Sequence, residues 1–351
     1  MKGNFHVRFG EGGGETHWSQ DQKVRSAPTL RTAGFPVSVF THIKRKHTSK
    51  ADLERGRLSG DLLTPAQWRF LEERAFTGFD NDANMVKVAI LNMYLHKMEK
   101  ADIRFHNPLT TGIGSPYPGR TFDIVLANPP FAGKIQTESI LADINLDTRA
   151  TELLFMKWFV DHLSPTGRAG VIVPNGVLFG GNKAAVKIRE LILNEYGLQA
   201  VINLPSGAFK PYSGVGTAIL ILDRTKTRLS PNPSPDRRSG EGRRGGDDFI
   251  WFYDLTADGF SLDDKRTPIE ANDIPDVIAK WEKREEGANS YRVPIAKILE
   301  SEDRSLAAGR YRLVTAQATN HDTPQDILSE VLELEDEITK KTKHLMKAIE
   351  K

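Results

Sequence analysis

The stretch Phe122-Asp123-Ile124-Val125-Leu126-Ala127-Asn128-Pro129-Pro130-Phe131 is an apolar run that stops on an amide, two prolines and an aromatic ring. A short apolar run bounded by a turn signal has the pattern of a strand buried on both faces, as in a parallel sheet. Two successive prolines hold φ and offer no N–H, so the corner is rigid and its carbonyls are left to accept from something else.

Outward from this strand, the chain alternates strands with helices. Phe35 to His47 predicts a helix, and Pro65 after Thr64 as cap opens another through Arg74. Ala75 to Phe79 reads as a strand ending on Asp80. Ala83 to Lys97 follows as a helix with Val86, Ile90, Met93 and Leu95 for packing. Ile103 to Phe105 is a strand that stops at Asn107-Pro108. Glu152 to Leu163 is an amphipathic helix ended by Pro165-Thr166-Gly167, and Ala169 to Val173 is a strand closed by Pro174-Asn175-Gly176. Lys183 to Asn194 is helical, and Leu198 to Leu204, Ala218 to Leu222 and Phe249 to Leu255 are strands. This alternation predicts the α/β class with a doubly wound, mainly parallel, Rossmann-like sheet. Ligands of such sheets sit at the carboxyl ends of the strands, where Asp80, Asn107 and Asn128 all fall.

The corner suits an exocyclic amine. Such a nitrogen is a poor nucleophile, because its lone pair is delocalised into the ring. Two acceptors, the Asn128 side-chain oxygen and the Pro129 carbonyl, would hold both N–H bonds and push the nitrogen towards sp³. Phe131 would stack on an extruded base. The bland alternative is a strand that happens to end on a Pro-rich turn. Chance supplies the tetrapeptide in about one chain of this length per thousand.

Composition sets outer bounds. With 351 residues, 39% hydrophobic and 27% charged, the chain has the makeup of a soluble globular protein with a sizeable core. It has no Cys, which excludes disulfides and Cys-ligated zinc and fits a cytoplasmic setting. The His residues form no HExxH pattern, so no metal is expected. No apolar run is long enough to span a bilayer, and the amino terminus lacks a signal-peptide pattern. A net charge of +2 leaves nucleic acid undecided. Lys44-Arg45-Lys46-His47 and Arg237, Arg238, Arg243 and Arg244 are local basic patches that read either as phosphate contacts or as solvated loops.

Residues 1–34, with Gly12-Gly13-Gly14, carry no clean periodicity and read as a degenerate remnant. Residues 35–223 form the expected core. A Ser/Pro/Gly/Arg-rich insertion follows at 224–248, then a return to the core at 249–315 and a helical tail at 316–351. Ile327, Val331, Leu334, Ile338 and Leu345 give that tail a narrow apolar seam, for its own domain or for a partner helix.

These residues together resemble the modification (M) subunit of type I restriction-modification systems, the γ-class N6-adenine DNA methyltransferases. The resemblance runs from about Ala27 to Tyr311. It rests on Gly78-Phe79-Asp80 with Leu91 to His96, on Phe122 to Gly133 and on Thr151 to Phe155. Gly170 to Gly180, Leu204 to Ala218, Phe252-Tyr253-Asp254 and Asp258 to Asp264 complete it. The resemblance implies a methyltransferase fold that uses S-adenosyl-L-methionine, with Asp80 on the ribose hydroxyls and Asn107, usually Asp, against the cofactor adenine. Asn128, Pro129, Pro130 and Phe131 carry over as the catalytic corner, and Thr32, Gly34 and Phe35 as the cofactor turn. Implied partners are DNA, a specificity (S) subunit, a restriction (R) subunit and a second M subunit, with no membrane.

Two departures stand out. The family's first motif, Asp-Pro-Ala-Cys-Gly-Thr-(Gly/Ala)-Gly-Phe, is replaced by Ala27-Pro28-Thr29-Leu30-Arg31-Thr32-Ala33-Gly34-Phe35. Arg31 stands where a glycine lets backbone approach the donor. The family's amino-terminal helical domain has no counterpart before this motif. One explanation is a one-base shift of the reading frame, since Arg-Ser and Leu-Arg codons so shifted can spell Asp-Pro and Cys-Gly, and the nucleotide sequence tests it. Two other readings remain: a non-catalytic scaffold that only assembles with a specificity subunit, and a protein-glutamine methyltransferase, whose related loop carries Tyr where this chain has Phe131.

Overall fold

The structure is a computed structural model that describes residues 5–8, 33–110, 121–131, 133–140, 144, 146–227 and 248–312, with 335, 338, 339, 341 and 342 of the tail. The chain divides into two compact units, Met1–Tyr311 and Arg312–Lys351. In the first unit the elements run β1 (Phe5–Arg8), α1 (Gly34–Lys46), α2 (Lys50–Glu54), α3 (Pro65–Glu73), β2 (Phe76–Asp80), α4 (Ala83–Leu95), β3 (Asp102–Phe105) and β4 (Phe122–Ala127). They continue with α5 (Thr151–Asp161), β5 (Leu163–Pro174), α6 (Asn175–Phe179), α7 (Lys183–Asn194), β6 (Leu198–Leu204) and β7 (Thr217–Asp223). The last are β8 (Phe249–Asp254), β9 (Asp258–Phe260), β10 (Pro268–Asn272), α8 (Ile274–Trp281), β11 (Ser290–Pro294), α9 (Ile295–Glu300) and α10 (Ala308–Tyr311).

Nine of the strands form one sheet in the order β11-β8-β6-β7-β5-β4-β1-β2-β3, and β9 pairs with β10 in a small second sheet. β3, β2, β1, β4 and β5 pair in parallel. β7 runs antiparallel between β5 and β6, and β11 antiparallel on β8. Successive side chains of a strand point to opposite faces, and β2 uses both. Phe76 packs with Phe40, Leu71 and Met93 of α1, α3 and α4. Phe79 packs in a separate cluster with Trp158 of α5 and Ile188 of α7. Helices therefore cover both faces, which makes the sheet doubly wound as expected.

Local sequence explains most boundaries. Thr64 caps α3 and Gln67 reaches back to it, a complete capping box ahead of Pro65. β6 spans the residues predicted for it. Elsewhere tertiary structure prevails over local pattern. Pro165-Thr166-Gly167, expected as a turn, lies within β5, where the register on β4 shifts between Phe122 and Ile124 and absorbs it as a bulge. Asn175, expected to close a strand, instead opens α6. Ile90 and Leu95, expected to pack, are 46% and 70% exposed. α4 is apolar nearly all round, and only the stripe of Val86, Ala89 and Met93 can face the sheet.

The segment read as a remnant supplies β1, which pairs with β2 on one side and β4 on the other. Four residues in a polar, Gly-rich stretch are too few for periodicity to register. The predicted insertion falls mainly outside the described residues, as do Arg237, Arg238, Arg243 and Arg244. Of the tail seam only Ile338 is described; it is helical and exposed.

α1 begins on Ala33, which is fully buried and has φ 65 and ψ 26. A residue with a Cβ is strained by about 1–2 kcal/mol in this left-handed region. Ala33→Gly is therefore expected to raise unfolding stability by roughly 1 kcal/mol, read from urea midpoints at an unchanged m-value.

Candidate active site

Strand order decides where the site lies. From β1 the chain goes to β2 and β3 on one side and to β4 and β5 on the other, so the crevice opens at the carboxyl ends of β1 and β4. Arg8, the last residue of β1, is level with Phe79 of β2 and Ala127 of β4. Asp80 and Asn128 thus stand one residue further on, flanking β1. Two strand spacings put them about 10 Å apart along one edge of the sheet. Asp80 is level in turn with Phe105, so His106 and Asn107 lie just beyond the end of β3 on the same edge.

At Asn128 the side-chain oxygen is buried and meets no hydrogen-bond donor. A dry acceptor left so costs about 1–3 kcal/mol, which an incoming N–H would offset. Pro129 is buried, and Pro130 and Phe131 are half-buried. The Phe131 ring meets Phe209 edge to face at 5.9 Å between centroids. Phe209 belongs to the loop after β6, which leans on the β9–β10 hairpin. Gly207 there has φ 96, and a Cβ on it would lie 2.7 Å from the Leu262 carbonyl oxygen. Lys210 pairs with Asp264 at 3.5 Å. Residues 258–264, which carry part of the type I resemblance, thus buttress the loop that bears the second ring.

The far side of the corner is held by the start of α5. Thr151 N–H donates to the Gly133 carbonyl at 3.1 Å, and Ile135 N–H to the Arg149 carbonyl at 3.1 Å. A Cβ on Gly133 would come within 2.6 Å of the Thr151 hydroxyl, so only glycine allows this approach. Glu152 follows, with a buried Oε2 that has no donor. Burial raises its carboxyl pKa, against the opposing pull of its own N–H and the Thr151 hydroxyl.

Two more acceptors share the edge. Asn175 Oδ1 at the end of β5 and Thr217 Oγ1 at the start of β7 are buried without partners. They are neighbours: Thr217 is level with Pro174, and Asn175 N–H donates to the Gly216 carbonyl at 2.9 Å. Unsatisfied buried polar atoms are rare, and this edge gathers several of those found among the described residues.

The residues expected to hold the methyl donor are placed unevenly. Asp80 is 2% exposed, and its Oδ1 accepts from the Asp82 N–H at 2.8 Å. Asn107 Oδ1 is engaged locally by the Leu109 N–H at 3.1 Å. Gly34 and Phe35 open α1, whose first turn has neither a side-chain cap nor an acidic residue, leaving its N–H groups to an anionic ligand group. Thr32, like Arg31, lies outside the described residues. A buried carboxylate at β2 and an open helix terminus fit a nucleoside cofactor with a carboxylate.

Phe209, Glu152, Asn175, Thr217 and His106 were not singled out from sequence. An acid heading the apolar Leu153-Leu154-Phe155-Met156 was a signal for Glu152. The others become visible only through strand order.

A family model described as N-6 DNA Methylase matches residues 22–321. The chain is 27% identical over 285 residues to the type I restriction enzyme EcoEI methylase subunit of Escherichia coli, covering 78% of this chain and 50% of that one. It is 29% identical over 310 residues to the StySJI methylase subunit of Salmonella typhimurium, covering 84% and 54%. It therefore spans about half the length of these curated relatives. Among solved structures it is similar to a chain of a type I R-M system studied for complex assembly and conformational transition, at TM-score 0.64 and 23% identity, covering 100% of this chain and 62% of that one. The EcoKI M protein gives TM-score 0.55 at 25% identity, covering 76% and 47%. The fold is that of the Rossmann-like methyltransferases.

Proposed function

Since this chain belongs to the N-6 DNA methylase family, we propose that it is the M subunit of a type I restriction-modification system, moving a methyl group from S-adenosyl-L-methionine to N6 of adenine in DNA. The observation that carries this reading is the Asn128–Phe131 corner beside the sheet's switch point, with its buried acceptor still lacking a donor.

Bound S-adenosylmethionine supplies an electrophilic methyl on a sulfonium. The rest falls to this chain. Asp80 would hold the ribose hydroxyls, and the open amino end of α1, at Gly34 and Phe35, the donor's carboxylate. Asn128 Oδ1 and the Pro129 carbonyl accept the two N6–H bonds, so that the nitrogen lone pair is directed at the methyl group. Phe131 stacks on the extruded base and Phe209 closes over it. Transfer would form an N–C bond as the donor's C–S bond breaks, with one N6 proton released to solvent. No covalent enzyme intermediate is required.

In this reading the address on DNA belongs to a specificity subunit, joined with a restriction subunit and a second M subunit in the cytoplasm. The division of the chain at 223, 248 and 315 is part of the same proposal, with residues 5–8 belonging to the core sheet as β1. No helix among the described residues is long and apolar enough to cross a membrane. Incubation with labelled donor and DNA tests the reading. Label is expected in DNA when a specificity subunit is added and at background when it is omitted. Bound donor with no label in either case would leave only the scaffold.

A further inference from the structure

We propose that His106 reads the adenine ring of the methyl donor, accepting from its exocyclic amine, while Asn107 beside it supplies a hydrogen-bond donor. The inference rests on the reading above that this chain binds S-adenosylmethionine.

With the ribose at Asp80, the base lies one strand further from the switch point, at the end of β3. His106 is the first residue past that end, and its N–H donates to the Asp80 carbonyl at 2.9 Å. Asn107 Oδ1 already accepts from the Leu109 N–H at 3.1 Å and keeps one lone pair, while its amide N–H₂ can donate to the base. What the base then needs is an acceptor that no neighbour already engages.

His106 has one. Its side chain is 8% exposed, its ring stands edge to face on Phe79 at 5.7 Å, and Nε2 is buried with no hydrogen-bond partner. Burial lowers the imidazole pKa, and the Arg104 guanidinium adds to the effect, so the ring is neutral at pH 7. A neutral ring protonated at Nδ1 carries a lone pair on Nε2. Adenine presents an N6–H donor beside the N1 acceptor, whereas hypoxanthine presents an O6 acceptor beside an N1–H donor. An acceptor at His106 with a donor at Asn107 matches the first pattern and opposes the second.

Calorimetric titration of the full chain with S-adenosylhomocysteine and with S-inosylhomocysteine tests this assignment, with no turnover needed. The wild-type chain is expected to favour the adenine form by about tenfold or more. His106→Phe should weaken binding of the adenine form by about tenfold and bring the ratio of the two affinities close to one. His106→Gln keeps a carbonyl acceptor in nearly the same place and should restore part of the ratio, whether or not the Phe variant folds. Equal binding of both compounds by the wild type, or the wild-type ratio retained in the variants, overturns the role of His106. Failure of the wild type to bind S-adenosylhomocysteine at all overturns the donor reading itself, and this assignment with it.

Discussion

Asn128→Ala is expected to reduce methyl transfer by on the order of a thousandfold while leaving donor affinity within about twofold of wild type. The magnitude follows from what the amide does. A preorganised polar group aimed at charge that changes only in the transition state is worth about 10²–10³ in rate. In the proposed function Asn128 Oδ1 is such a group, since it is buried without a hydrogen-bond donor and would meet one in the adenine amine. In the proposed function the donor is instead held at Asp80, two strands away, and at the start of α1. Single-turnover transfer measured alongside calorimetry separates the two contributions. Loss of donor binding in the variant, with transfer at saturating donor unchanged, would remove Asn128 from the chemistry.

Arg189→Met is expected to cost about 3–5 kcal/mol of stability and to lower the melting temperature by roughly 10 °C. Arg189 is fully buried on α7 and gives its guanidinium to backbone carbonyls alone. Nη1 donates to Val177 at 2.7 Å, Nη2 to Gly180 at 2.7 Å and to Asp303 at 2.7 Å, and Nε to Asp303 at 3.0 Å. It thereby ties the carboxyl end of α6 and the 301–306 segment to α7, and α6 is the helix that Asn175 opens. A Met of similar length fills part of the space but leaves three carbonyls dry. Arg189→Lys should recover only part of the loss, because a single ammonium cannot match the planar fork. Thermal melts followed by circular dichroism decide it, and an unchanged midpoint in the Met variant would contradict this account.

The strands that position the corner were legible because their signals are local. The run ending on Asn128-Pro129 was bounded by its own prolines, and Thr64 with Pro65 marked the start of α3 two ways at once. Asp80 and Asn128 stood at strand ends, and the rule for parallel sheets then placed them on one edge. What stayed hidden depends on who neighbours whom. β1 is four residues long, and its slot between β2 and β4 is visible only in the folded sheet. Phe209 is far in sequence from Phe131, and Thr217 reaches Asn175 only because β7 runs back beside β5. The outward turn of Ile90 and Leu95 was likewise beyond periodicity, since a helix that is apolar on all sides does not say which stripe the sheet will cover.

The identity of the methylated nucleoside tests the central claim most directly. DNA treated with this chain, a specificity subunit and labelled donor is digested to nucleosides and resolved by mass spectrometry. The Asn128–Phe131 corner predicts label in N6-methyl-2′-deoxyadenosine and its disappearance with Asn128→Ala. Label in a methylated cytosine, or N6-methyladenine formed undiminished by the Asn128→Ala chain, would contradict it.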